Sequence, residues 1–100
     1  MSYQKGDVFI TVSGKNYGLR LTMGALAELD TRLSLSGPAA LAKRLRHLTP
    51  DEARVLLACV MRPCAPSGDV DASAASFSKT DIAQVMPQLC RLFEEAFSHG

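Results

Sequence analysis

The chain has 100 residues, 47% of them hydrophobic and 21% charged, with a formal net charge of +1. That length gives room for one domain around one core, and the composition is that of a globular chain rather than a disordered one. A net charge so near zero supplies no global field to hold the chain on nucleic acid or an anionic membrane, so binding of that kind needs a local patch. The three cysteines, Cys59, Cys64 and Cys90, cannot all pair. With no apolar leader ahead of "MSYQKGDVFI", they read as reduced thiols of a cytoplasmic protein. The longest apolar run, from Val55 to Met61, falls far short of the roughly 20 residues of a membrane-spanning helix.

Val8, Ile10 and Val12 fall on one face of a strand and Phe9 and Thr11 on the other; after "SGKN" the alternation resumes with Tyr17, Leu19 and Leu21. This pattern predicts a β-hairpin over about residues 7–22, with Gly14 and Asn16 best suited to the positive φ of a tight turn. A lone two-stranded hairpin is marginal in water, so its apolar face must lie on another element or another copy of the chain. The helix carrying Leu26 and Leu29 is the expected partner. Thr22 suits an N-cap, and Met23, Leu26, Leu29 and Leu33 give a helix over about 23–34. Ser36, Gly37 and Pro38 break it and open another, about 38–48, with Leu41, Leu45 and Leu48 at helical spacing.

The strongest local signal is "TPDE" from Thr49 to Glu52, with threonine at the cap, proline at the first helical position and glutamate at the third. It starts a buried helix over about 50–61. Residues 62–79 hold prolines, glycine and many small side chains and read as a loop. Thr80 and Asp81 restart the helical pattern, and Ile82, Val85, Met86, Leu89, Leu92, Phe93, Ala96 and Phe97 form a broad stripe that Pro87 should divide into helices of about 80–86 and 87–98. The expected fold is α+β, an N-terminal hairpin followed by about five helices in one small domain.

No catalytic, cofactor or metal constellation emerges. His47 and His99 have no nucleophile or carboxylate at a motif spacing. The cysteines lack the paired spacing of a zinc site and read as small hydrophobes. Lys43, Arg44, Arg46 and His47 form a basic patch that could meet phosphates, or simply complement a helix C-terminus. The following helix, "ARVLLACVMR", has too few polar side chains to read bases, which argues against a DNA-binding regulator. Leu92, Phe93 and Phe97 are candidates for a partner-binding surface, the alternative being that they close the core. Val12 and Tyr17 represent the hairpin, whose two edges have no third strand to pair with.

The segments "YGLRLTMGALAELDTRL", "LAKRLRHLTPDEARVLLACVMR" and "DIAQVMPQLCRLFEEAF" together resemble the small tail proteins of gene transfer agents and phages described as tail assembly chaperones. The resemblance covers Gly6 to Phe97 and is strongest from Tyr17 to Leu29; the segment 62–77 is longer than the pattern has it. It implies a non-enzymatic protein without cofactor or small-molecule substrate, acting in the cytoplasm during particle assembly. Its implied partners are the tape-measure protein, whose hydrophobic helices it keeps soluble, and the tail tube protein, with possible self-association. The alternative within the family is a structural tail component.

Overall fold

In the computed structural model the backbone is described for residues 8–35, 38–65 and 68–98, and side chains for the same residues except 38, 39, 42 and 95–98. Among these the chain runs β1 (Val8–Val12), β2 (Lys15–Leu19), α1 (Met23–Leu33), α2 (Pro38–Leu45), α3 (Pro50–Met61), a 3-10 turn (Arg62–Cys64), α4 (Val70–Ala75) and α5 (Lys79–Ser98). An N-terminal hairpin thus precedes five α-helices.

The strands are antiparallel, with Val8 opposite Leu19, Ile10 opposite Tyr17 and Val12 opposite Lys15. Their two-residue turn needs positive φ at both positions, and Ser13 (52°) and Gly14 (79°) supply it. Asn16, expected in that role, already lies in β2, where its side-chain oxygen accepts from the Thr11 hydroxyl at 2.7 Å. Ile10, Val12 and Leu19 are buried. This inner face rests chiefly on two helices, α5 beneath β1 and α3 beneath β2, and not on α1 as expected. The reason lies in α3. Every residue from Leu56 to Met61 is buried, and a helix apolar all round takes the centre of a fold. The helices α1, α4 and α5 pack on it. From α1 only Ala25 and Leu29 are fully buried, with Leu26 packed half-exposed at the margin.

Side-chain caps set the helix starts. The Thr22 hydroxyl accepts from the Ala25 amide at 3.0 Å. Thr49 and Glu52 form the full capping box, each accepting from the other's backbone amide at 3.1 Å. For α5 the cap is Ser78: its hydroxyl accepts from the Asp81 amide at 3.1 Å while the Asp81 carboxylate accepts from the Ser78 amide at 2.9 Å. At the end of α1, Ser34 adopts the left-handed conformation (φ 54°); the expected break at Ser36 and Gly37 lies outside the described residues. The helix α2 stops at Leu45, and the next amides tighten back, Arg46 to the Lys43 carbonyl at 3.2 Å and His47 to that of Arg44 at 3.0 Å.

Two expectations are corrected. Residues 62–79 are not a plain loop, because Val70, Ala74 and Phe77 recur at helical spacing and are buried. They bring α4 onto α3, with Asp69 capping it through the Ala72 amide at 3.1 Å. Nor does Pro87 divide the last helix, which continues from Lys79 to Ser98 with Pro87 inside. Ile82 and Val85 before the proline and Leu89, Leu92 and Phe93 after it are all buried. One continuous apolar face is thereby held on the core, and this outweighs the loss of a single backbone bond. Among the described residues, no helix is long and apolar enough to cross a membrane.

Candidate partner-binding surface

The residues singled out in the sequence do not assemble into one surface. Val12, Leu92 and Phe93 are buried; they belong to the core and offer no side-chain surface to a partner. Tyr17 is half-buried and stands edge-on to Phe77, ring centroids 5.4 Å apart and planes at 69°. The Phe97 side chain and His99 lie outside the described residues. The basic patch is reduced as well, for Arg44 pairs with Glu52, the carboxylate that also caps α3. Lys43, Arg46 and His47 are exposed. Behind them α3 is buried from Leu56 to Met61, so it cannot lie in a DNA groove as a recognition helix must.

The outer side of the hairpin is open at Phe9. Phe9 is 67% exposed and Met23, at the start of α1, 82%. Opposite Phe9 stands Gly18, where a side chain would meet the Cys64 Cβ and Sγ at 3.1 Å and the Phe9 ring at 3.4 Å. Glycine here allows the 3-10 turn to approach the strand. In a two-residue hairpin the closing pair, Val12 and Lys15, exchanges both ladder bonds, and bonded pairs then alternate. Asn16 and Gly18 therefore turn their N–H and C=O groups away from β1. Next in that row is Arg20, whose N–H donates to the Val60 carbonyl at 2.8 Å. Among the described residues, no backbone bond from outside the ladder reaches Asn16 or Gly18.

A pocket of about 280 Å³ lies against Asn16, Tyr17 and Gly18 on one side and Met61, Cys64 and Val70 on the other. Successive strand side chains point to opposite faces. A pocket touched by three successive residues of β2, and by none of β1, sits at the outer edge of β2. Nothing in the sequence pointed here, because the opposite wall comes from Met61, Cys64 and Ala65 and, further on, from Gly68, Val70 and Ser73.

That wall is held by a charge network the sequence reading also missed. Arg62 binds Glu28 through two bonds, 3.1 and 2.8 Å, and reaches both Asp71 oxygens at 3.3 Å. Arg32 donates to Glu28 and to Asp71, each at 3.1 Å. The Arg62 bonds hold the Glu28 carboxyl below the usual carboxylate range, and the Arg32 bond does the same for Asp71. Beneath lies Cys59, whose thiol burial pushes up to about 11; it stays protonated and weakly nucleophilic at neutral pH. Burial raises the Cys90 thiol too. Among the described residues, no three His, Cys, Asp or Glu side chains are grouped to hold a metal ion.

A family described as phage tail tube protein, GTA-gp10, matches residues 5–99. The chain belongs to this family. No curated protein and no solved structure matches it. Membership of the tail tube family gives the chain a structural part in a phage or gene transfer agent tail, and with it assembly against other tail proteins. For a tail tube family member, an open sheet edge beside a pocket is a place where such a contact can form.

Proposed function

We propose that this tail protein acts in the cytoplasm as an assembly chaperone: without chemistry of its own, it holds the tape-measure protein and brings it together with tail tube subunits. The observation that carries this reading is the β2 edge at Asn16 and Gly18, unpaired among the described residues and bordered by a pocket. An open edge invites another chain to complete the sheet. A protein that must release its client gains from a contact this small, since an interface confined to one short edge is a transient one. The second reading, a subunit that stays in the tail, is favoured by the family's description as a tail tube protein.

Two measurements separate them. Co-production with the tape-measure protein should yield a complex in which the tape-measure protein stays soluble. Quantitative mass spectrometry of purified particles should find this chain strongly depleted relative to the tube protein. Recovery in the particle at a fixed ratio to the tube protein would establish the subunit reading instead.

A further inference from the structure

We draw no further inference here: the strongest candidate, the apolar surface patch that the exposed Phe9 makes on the outer face of the hairpin, carries nothing because nothing in the structure shows what covers it.

Discussion

Ser13 carries backbone strain that its side chain does not relieve. Its φ of 52° is a conformation that costs an ordinary L residue about 1–2 kcal/mol and that asparagine visits more readily. The turn demands it nonetheless, because strands joined by two residues match their twist only when both residues have positive φ. Changing Ser13→Asn should stabilise the domain by about 0.5–1 kcal/mol in urea unfolding, without altering the slope of the transition. Unchanged stability would mean that the neighbouring strands and not the turn residue absorb the strain. Asn16, by contrast, was legible as a turn residue only by type. What placed it in the strand was the count of residues between Val12 and Lys15, which the local composition "SGKN" does not reveal.

Helix α5 poses the question of local preference against tertiary burial. Pro87 withholds an amide from the Ala83 carbonyl and crowds the preceding turn, a penalty of about 3 kcal/mol in a helix interior. Yet the buried face passes straight through it, from Ile82 to Phe93. Since Pro87 is exposed, Pro87→Ala should raise stability by about 1–2 kcal/mol, less than the full penalty because proline also restricts the unfolded chain. Thermal unfolding followed by circular dichroism reads this as a higher Tm; a lower Tm would show that α5 relies on the proline. The hairpin, the Thr49 cap and the apolar stripes were legible in the sequence because each rests on neighbours a few residues apart. The unbroken α5 and the short α4 were not. Burial against α3 decides both, and for α4 the spacing of Val70, Ala74 and Phe77 was masked by its small and polar neighbours. The candidate site was hidden for the same reason, since one wall is β2 and the other begins some forty residues later, at Met61.

At the scale of the whole molecule, the network of Glu28, Arg32, Arg62 and Asp71 joins three separate pieces of chain: α1, the turn after α3, and α4. Only Glu28 and Asp71 titrate in the acid range, and both have folded pKa values below their ordinary ones. Glu52 is lowered too, chiefly by the Thr49 amide it caps. A carboxylate whose pKa falls on folding binds fewer protons in the folded state than in the unfolded one. Its stabilisation is therefore complete above the ordinary carboxylate pKa of about 4 and is lost as the pH falls through the depressed folded value. Urea unfolding at a series of pH values should accordingly give a plateau near neutrality and a decline below about pH 4.5. Glu28→Gln should lower the plateau, because Arg62 loses its two-bond partner, and should flatten the decline, leaving the part that Asp71 and Glu52 supply. The effect should be modest and should shrink in high salt, since the Arg32, Arg62 and Asp71 side chains are each more than a third exposed and such pairs are screened. If the Glu28→Gln variant declined as steeply in acid as the unmodified chain, the tie between α1 and α4 would not depend on the charge of Glu28. The wall of the β2 pocket would then owe its position to the packing of Val70, Ala74 and Phe77 on α3 alone.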